Sequence, residues 1–376
     1  MKAIINGKIV LETEVLTGKV LVFDQKIIGF EDEVPAGCEV IDAKGLYVSP
    51  GFVDVHIHGS GGADTMDAPL ESIQTISQVI AQSGTTSFLP TTMTMSKDDV
   101  YHALGNVRHW MGQTVDGAKI LGAHMEGPFI NVKYKGAQNP EHILAPSYEF
   151  IKEFTDVIKL ITYAPELDEN LSFTKEVKSS TDITLSIGHT DATFAQAKEA
   201  FRCGCSHVTH LFNAMTPLTH REPGVVGASL SSDVYTELIA DKIHSSSHLF
   251  QFVFDNKSEN RLVLITDSMR AGCMKDGNYD LGGQAVTVKD GAARLESGVL
   301  AGSVLTLNKA VKNLFENTNA TLPEAIKMAS LTPASSIGFA KEKGSLRIGK
   351  DADIILLDDN FDCHLSFSEG RQIFAK

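Results

Sequence analysis

The pattern of apolar and polar positions changes twice along this chain of 376 residues. Short alternating or β-branched runs at both ends are typical of strands. Residues 4–10 predict a hairpin around the Asn6-Gly7 turn, since Asn-Gly is the strongest short-range hairpin signal. We expect one small β-sandwich domain built from both ends of the chain. Its other predicted strands are residues 20–23, 26–30, 353–357 and 371–374.

The middle of the chain repeats a different unit, in which a short apolar run alternates with an amphipathic segment. Eight such units predict a (β/α)8 TIM-like barrel, an α/β fold. A doubly wound open sheet competes with it, but no Gly-rich phosphate fingerprint follows the first run. The expected domains are residues 1–49 and 343–376 for the β-sandwich and 50–342 for the barrel. The predicted barrel strands are residues 47–54, 85–90, 119–124, 157–163, 183–187, 207–211, 236–240 and 261–265, and predicted helices include 70–82, 98–111 and 193–201.

The formal net charge of −14 argues against nucleic-acid or anionic-membrane partners, because such affinity comes from Lys and Arg. No apolar run approaches the ~20 residues of a membrane span. The first residues carry charges and a turn where a signal peptide has its apolar stretch, so we expect a cytoplasmic protein. Five irregularly spaced cysteines do not indicate disulfides, and we interpret Cys203 and Cys205 as buried thiols rather than metal ligands.

Imidazole and carboxylate side chains follow several of the predicted barrel strands. In a barrel, the carboxyl ends of the strands converge on one mouth. A lone His-x-His is a weak signal, but on a strand residues i and i+2 point to the same side and can share one ion. Together with a carboxylate and two further histidines at other strand ends, it predicts a divalent metal site. The expected ligands are His56, His58, Glu126, His189 and His210.

Asp267 follows the eighth predicted strand and is the expected acid–base residue. A carboxylate beside a metal can take a proton from the attacking water and deliver one to the leaving nitrogen. Taken alone, Thr266-Asp267-Ser268 would be interpreted as a helix N-cap. Its place at the same mouth as the metal ligands favours catalysis.

These residues resemble the amidohydrolase superfamily, whose members carry His-x-His on strand one, His on strands five and six, and Asp on strand eight. Within it, the chain is similar to the N-acetylglucosamine-6-phosphate deacetylase family, in order over nearly its whole length. Glu-Gly-Pro-Phe at 126–129 and His-Leu-Phe-Asn-Ala-Met at 210–215 are the specific strings. The other matching strings are residues 50–59, 188–190, 221–224, 239–244, 266–269 and 300–303.

The resemblance implies hydrolysis of the N-acetyl amide of N-acetylglucosamine 6-phosphate to glucosamine 6-phosphate and acetate, in amino-sugar catabolism and cell-wall sugar recycling. It assigns the primary metal to Glu126, His189 and His210, and the proton transfers to Asp267. Members that keep His-x-His can hold a second ion. We therefore expect one or two divalent ions per subunit, with Zn²⁺ favoured over Fe²⁺, Mn²⁺ or Co²⁺.

The resemblance also implies a sugar-phosphate pocket and a homodimer in which Arg221 reaches into the neighbouring subunit's site. The competing interpretation of Arg221 is a solvated loop charge beside Glu222. Gln138 stands where some members have a His that polarises the carbonyl; Gln can donate a hydrogen bond but carries no charge. Lys242 replaces a family Gly and is expected to be exposed. The expected substrate-binding residues are Ala137, Gln138, Asn213, Ala214, Arg221, His244, Leu300, Ala301 and Gly302.

Two alternatives stay open. One is another amidohydrolase reaction, on a cyclic amide, by deamination or on a different N-acyl substrate, and the expected phosphate donors Arg221 and His244 argue against it. The other is a non-catalytic scaffold of the same fold. A scaffold tends to lose its ligands, whereas this chain keeps all five together with Asp267.

Overall fold

The computed structural model describes all 376 residues, in twenty-four strands, ten α-helices and six short 3-10 helices. The strands are β1 (Lys2–Ile5), β2 (Lys8–Val10), β3 (Val15–Leu16), β4 (Val20–Phe23), β5 (Ile27–Glu31), β6 (Glu39–Asp42), β7 (Tyr47–Pro50), β8 (Phe52–Ile57), β9 (Gly59–Ser60), β10 (Ala63–Asp64), β11 (Thr85–Thr92), β12 (Lys119–Ile120), β13 (Ala123–Glu126), β14 (Ile158–Tyr163), β15 (Thr184–Ile187), β16 (His207–Val208), β17 (Tyr235–Ile239), β18 (Leu262–Ile265), β19 (Gly277–Leu281), β20 (Gln284–Lys289), β21 (Ala292–Leu295), β22 (Ile354–Leu357), β23 (Cys363–Ser368) and β24 (Arg371–Ala375).

The α-helices are α1 (Glu71–Ala81), α2 (Lys97–Met111), α3 (Tyr148–Ile151), α4 (Ser172–Ser180), α5 (Phe194–Arg202), α6 (Gly224–Leu230), α7 (Phe250–Arg261), α8 (Leu307–Glu316), α9 (Leu322–Lys327) and α10 (Leu331–Ser336). The 3-10 helices are Val132–Tyr134, Pro140–His142, Lys152–Phe154, Pro165–Leu167, Glu169–Leu171 and Ser247–Leu249. The predicted helices at 70–82, 98–111 and 193–201 are confirmed as α1, α2 and α5. None of the helices combines the length and apolar composition that a membrane crossing requires.

Eight parallel strands form a barrel, in the order β8, β11, β13, β14, β15, β16, β17 and β18. The first and last strands meet just beyond β18. There the Asp267 amide donates to the His56 carbonyl at 2.9 Å, and the His58 amide donates to the Ser268 carbonyl at 2.8 Å. This closure confirms the (β/α)8 barrel, and the doubly wound open sheet is wrong.

Two predicted barrel strands are each divided by a glycine. Residues 47–54 do not form one strand, because β7 before Gly51 joins a terminal sheet whereas β8 after it opens the barrel. Gly51 itself passes close to β11, where a Cβ would lie 2.1 Å from Thr86 Oγ1. Residues 119–124 are interrupted at Gly122, whose φ of +154° breaks the strand into β12 and β13. The predicted strand at 207–211 is reduced to β16, because the chain turns at His210.

Two sheets built from the chain ends pack on one apolar core. One has the order β5-β4-β1-β6, and the other, β24-β23-β22-β7-β2-β3, combines strands from both termini. The small β-sandwich is thus confirmed, while its boundaries at 49/50 and 342/343 stay a prediction. The strand pair around residues 24–25 is confirmed as β4 and β5. The shared core contains Ile4, Leu21, Phe23, Ile354, Leu356 and Phe367.

The predicted hairpin at residues 4–10 is wrong. β1 pairs with β4 and β6, whereas β2 pairs with β3 and β7, so the two strands lie in different sheets. Asn6 does adopt the left-handed conformation that Asn-Gly favours, with φ +55°. However, a Cβ at Gly7 would lie 2.3 Å from Val48, so this turn passes close to β7. It is a corner between sheets because β7 occupies the position that a hairpin partner would take.

A three-stranded antiparallel sheet, β19-β20-β21, is inserted after the last barrel strand. The pattern of apolar and polar positions did not predict these strands. Its apolar face, Leu281, Val286 and Val288, belongs to one buried cluster with Met93 and Met269 from the barrel mouth. The sheet therefore lies beside the end of the barrel where the predicted site residues converge.

Candidate metal centre and active site

Three predicted site residues stand at sharp turns directly after barrel strands. His189 follows β15 with φ +49°, His210 follows β16 with φ +28°, and Asp267 follows β18 with φ +48°. Non-glycine residues rarely occupy this region, and each instance costs about 1–3 kcal/mol and persists only where the surroundings enforce it. Because β8 closes the barrel against Ser268, the turn at Asp267 is enforced by the fold. These turns direct polar side chains into the barrel mouth.

Glu126, at the end of β13, forms the centre of the first ligand group. Its Oε1 lies 3.1 Å from His189 Nε2 and 3.1 Å from His210 Nε2, and those two nitrogens are 3.1 Å apart. All three side chains are buried. Three ligand atoms at these mutual distances can share one divalent ion with imidazole and carboxylate ligation.

His56 and His58 form a second group with the same carboxylate. His56 Nε2 is 3.4 Å from Glu126 Oε1, and His58 Nε2 is 3.3 Å from Glu126 Oε2. Asp267 Oδ1 completes the group, 3.2 Å from His58 Nε2 and 3.5 Å from His56 Nε2. The structure therefore brings together all five predicted ligands and the predicted acid–base residue.

The second ring nitrogens show that these residues fit a bound cation. His189 Nδ1 lies 2.9 Å from the Tyr134 carbonyl, and His58 Nδ1 lies 3.2 Å from the Thr91 carbonyl. A carbonyl can only accept, so both Nδ1 atoms carry the proton and both Nε2 atoms are available as metal ligands. His56 Nε2 is buried without a hydrogen-bond partner. The converging lone pairs and carboxylates require positive charge between them.

The pKa shifts express the same requirement. Burial lowers the pKa of His56, but the carboxylates of Glu237, Glu126 and Asp267 outweigh it and raise that pKa to about 9. Burial raises the pKa of Glu126, but the charges of His56 and His189 outweigh it and hold that pKa well below its usual range. For Asp267, the effect of burial is likewise outweighed by His56 and His58, and its pKa is lowered. Both carboxyl groups are ionised at neutral pH.

Three buried polar residues behind the ligands were not predicted from the sequence. Glu237 on β17 accepts from His56 Nδ1 at 2.9 Å. His124 packs against the His56 ring with centroids 4.5 Å apart, and its Nε2 lies 2.7 Å from Thr162 Oγ1. Asp54 Oδ2 accepts from Thr266 Oγ1 at 2.6 Å, next to Asp267 in the chain. The available signal was an ionisable side chain within a predicted barrel strand.

A cavity of about 480 Å³ opens over these ligands and holds most of the predicted substrate-binding residues. Arg221 and Ala301 do not line it: Arg221 is exposed, and Ala301 is buried against the inserted sheet. The predicted residues that line it are Ala137, Gln138, Asn213, Ala214, His244, Leu300 and Gly302. Lining residues that sequence analysis did not name are Met93, Lys133, Tyr134, Gly136, Leu281, Arg294 and Val299.

Two of the lining residues are held in defined orientations. The Thr94 amide donates to Gln138 Oε1 at 2.7 Å, which leaves the Gln138 Nε2 to donate to Glu126 Oε2 at 2.7 Å. His244 Nδ1 lies 2.7 Å from Asp241 Oδ2, so its Nε2 is the ring nitrogen free to face the cavity. Gln138 thus contacts the ligand carboxylate, and His244 offers a donor or acceptor to a bound molecule.

The chain belongs to the amidohydrolase family, whose family model matches residues 47–373. The fold and the ligand groups place it among the metal-dependent hydrolases of that family. More particularly, it is 40% identical over 378 residues to the N-acetylglucosamine-6-phosphate deacetylase of Bacillus subtilis (strain 168), covering 97% of this chain and 95% of that protein.

Two solved structures agree over the whole chain. The N-acetylglucosamine-6-phosphate deacetylase from Pasteurella multocida superposes with a TM-score of 0.94 at 32% identity, covering 100% of both chains. A mutant of the Mycobacterium smegmatis N-acetyl-D-glucosamine-6-phosphate deacetylase, in complex with N-acetyl-D-glucosamine-6-phosphate, superposes with a TM-score of 0.91 at 26% identity, covering 100% of this chain and 99% of that one.

Proposed function

We propose that this chain is a metal-dependent deacetylase that hydrolyses the N-acetyl amide of N-acetylglucosamine 6-phosphate. The observation that carries the proposal is the convergence of Glu126, His189, His210 and Asp267 at the floor of one cavity, in a chain whose relatives bear that activity. The products are glucosamine 6-phosphate and acetate, as expected in amino-sugar catabolism and cell-wall sugar recycling.

The proposed roles follow from the positions of the side chains. A divalent metal, when bound, lowers the pKa of a water molecule and polarises a carbonyl. Asp267 is ionised and lines the cavity, so its carboxylate accepts the proton of the attacking water and then donates it to the departing nitrogen. The Gln138 amide is held beside Glu126, where it can donate to the developing oxyanion.

We propose one or two ions per subunit, with Glu126, His189 and His210 holding the first. His56 and His58 would hold a second ion, with Glu126 shared between the two groups. Zn²⁺ suits this mixture of imidazole and carboxylate ligands, and Fe²⁺, Mn²⁺ and Co²⁺ suit it as well. The donor set favours these metals over Mg²⁺ or Ca²⁺, which prefer all-oxygen sites.

The cavity contains donors suited to a sugar phosphate. His244, Asn213 and Ala214 line it together with the cationic side chain of Arg294, whereas the neighbouring Lys133 is already paired with Asp191. Leu300, Gly302 and Ala137 also line the cavity, and we propose that the sugar and the acetyl group contact them. We propose that the phosphate is the main determinant that distinguishes this substrate from other N-acyl compounds.

Removing the phosphate from the substrate is expected to lower kcat/KM by at least about 100-fold, because hydrogen bonds to charged groups contribute about 1.5–3 kcal/mol each. The measurement is acetate release from N-acetylglucosamine 6-phosphate and from N-acetylglucosamine. His244→Phe keeps a ring but removes the free Nε2. It should therefore reduce the ratio of kcat/KM for the phosphorylated sugar to that for the unphosphorylated sugar by about tenfold. Equal rates with both sugars would favour another amidohydrolase reaction over this one.

We also propose a homodimer in which Arg221 serves the neighbouring subunit's site. Arg221 is exposed and lies outside the cavity of its own chain, while the turn that carries it precedes α6 and follows the loop with Asn213 and Ala214. A guanidinium is suited to bidentate phosphate binding. If Arg221 acts within its own subunit or is only a solvated charge, mixing an Arg221 variant with an Asp267 variant would restore no activity.

Co-expressed Arg221→Ala and Asp267→Asn chains are expected to recover about one quarter of wild-type turnover, although each variant alone is impaired. The estimate follows from random pairing, since half of the dimers are hybrids and each hybrid has one complete site. The measurement is acetate release by the co-purified mixture, with separately purified variants as controls. No recovery in verified hybrid dimers would rule out action across the interface.

We further propose a cytoplasmic protein. All five cysteines are free thiols, and Cys205 lies buried beside the Tyr163 hydroxyl. Unpaired cysteines are typical of a reducing compartment, where a phosphorylated sugar is also retained.

A further inference from the structure

Glu237 is a fully buried carboxylate that takes no part in the proposed proton transfers. It lies in the middle of β17, with 0% of its surface exposed, and it does not line the cavity. Burying an ionised carboxylate costs several kcal/mol unless its oxygens are paired. The full burial of Glu237 and the free energy that this burial costs together indicate that its contacts have a structural or functional role in the barrel.

Each oxygen of Glu237 contacts the histidine framework. Oε2 accepts from His56 Nδ1 at 2.9 Å and from the backbone amide of His210 at 3.0 Å. Oε1 lies 3.3 Å from His207 Nε2. One carboxylate therefore contacts a ligand from the second group and the backbone of a ligand from the first.

These contacts determine how two ligands are presented. The bond to His56 keeps the proton on Nδ1, so that Nε2 faces Glu126 Oε1 and Asp267 Oδ1 at 3.4 and 3.5 Å. The bond to the His210 amide supports a residue held at φ +28°, from which Nε2 reaches Glu126. A carboxylate that accepts a hydrogen bond from a metal-binding imidazole also makes that imidazole more basic and therefore a stronger metal ligand.

We propose that Glu237 is a positioning residue that orients His56 and the His210 turn for metal binding, with the largest effect on the ion held by His56 and His58. The inference rests on the metal-dependent function proposed above. Its readout is metal affinity, so it can fail or succeed whether or not N-acetylglucosamine 6-phosphate is the substrate.

The experiment compares Glu237→Gln and Glu237→Leu with wild type by zinc competition against a chelator, on folded protein verified by circular dichroism. Loss of such a partner typically costs 10–100-fold in metal affinity. We expect a loss in that range for Leu. We expect a smaller loss for Gln, whose amide oxygen can still accept from His56 and His210 but carries no charge.

The matched control is Thr236→Val, the adjacent residue on the same strand. Thr236 is equally buried, but its hydroxyl contacts Ser229 Oγ at 2.8 Å, because successive strand side chains point to opposite sides. The metal affinity of the Thr236→Val variant should equal that of the wild-type protein. At saturating zinc, Glu237→Gln should lower kcat and leave KM unchanged, since Glu237 does not line the cavity.

A loss of less than threefold in both Glu237 variants, or an equal loss in Thr236→Val, would overturn the proposal. An equal loss would mean that any change within β17 loosens the site. If Glu237→Leu does not fold, Glu237→Gln decides the question by the same threefold limit.

Discussion

Asp267→Asn is expected to lower kcat by about 10²–10⁴-fold, the range that general acid–base catalysis contributes. The side chain stands at the cavity floor with Oδ1 at 3.2 Å from His58 Nε2, and its lowered pKa keeps it ionised and ready to accept a proton. Asn retains the shape and one acceptor oxygen but cannot take up or deliver that proton. The measurement is the steady-state rate of acetate release.

The metal content of Asp267→Asn shows whether its lower kcat comes from a lost proton transfer or from a lost ion. The first ligand group, Glu126, His189 and His210, does not include Asp267, so the first ion should remain. Asp64→Asn is the matched control: Asp64 is buried at the same end of the barrel but does not line the cavity, and its variant should retain kcat within severalfold. Near-normal turnover by Asp267→Asn would reject its assigned role.

Stripping the metal is expected to reduce turnover to background, and adding Zn²⁺ is expected to restore it. The physical reason is that a bound ion would lower the pKa of the attacking water and polarise the acetyl carbonyl, and this contribution is lost with the metal. Binding of Zn²⁺ should also raise the midpoint temperature of thermal unfolding, because a ligand at 100 times its Kd stabilises the folded state by about 2.7 kcal/mol. Metal analysis, activity and melting are measured on the same samples.

Two controls make this result specific. Mg²⁺ and Ca²⁺ prefer oxygen ligands and should not restore activity. Glu126→Gln should lose the metal, whereas Glu166→Gln should keep it; Glu166 lies on the loop after β14, bonded to Thr190 Oγ1, and does not line the cavity. Chemically stripped protein that still turns over would contradict metal dependence, and protein that binds no added metal would support the scaffold alternative.

The spacing of His, Glu and Asp along the chain was sufficient to predict which of these side chains meet at the mouth of the barrel. His56, His58, Glu126, His189, His210 and Asp267 each follow a run with strand character, and parallel strands in a closed barrel necessarily bring those ends together. The resemblance to a known family then assigned roles to the surrounding residues. The geometry of this chain places most of them around one cavity.

Other features depend on contacts between residues distant in sequence. Glu237 was missed because a charged residue on a strand is ordinarily a solvated one, and only the barrel buries it behind His56. Asn6-Gly7 predicted a hairpin by a local rule, yet β7 lies beside Gly7 and makes the turn a corner between sheets. Arg221 was predicted to bind substrate, yet the fold of this chain leaves it exposed and outside the cavity.

By itself, the sequence determined the periodic alternation of strands and helices, and with it the barrel class, the end of the barrel that carries chemistry and the residue types gathered there. These follow from local periodicity, because eight alternating strand–helix units close into a barrel whose strand ends meet at one mouth. Only the tertiary structure decided which imidazole nitrogen faces the centre, which carboxylate orients it, and where a glycine divides a strand. Those outcomes depend on pairs such as His56 with Glu237, which are 181 residues apart and meet only when the barrel closes.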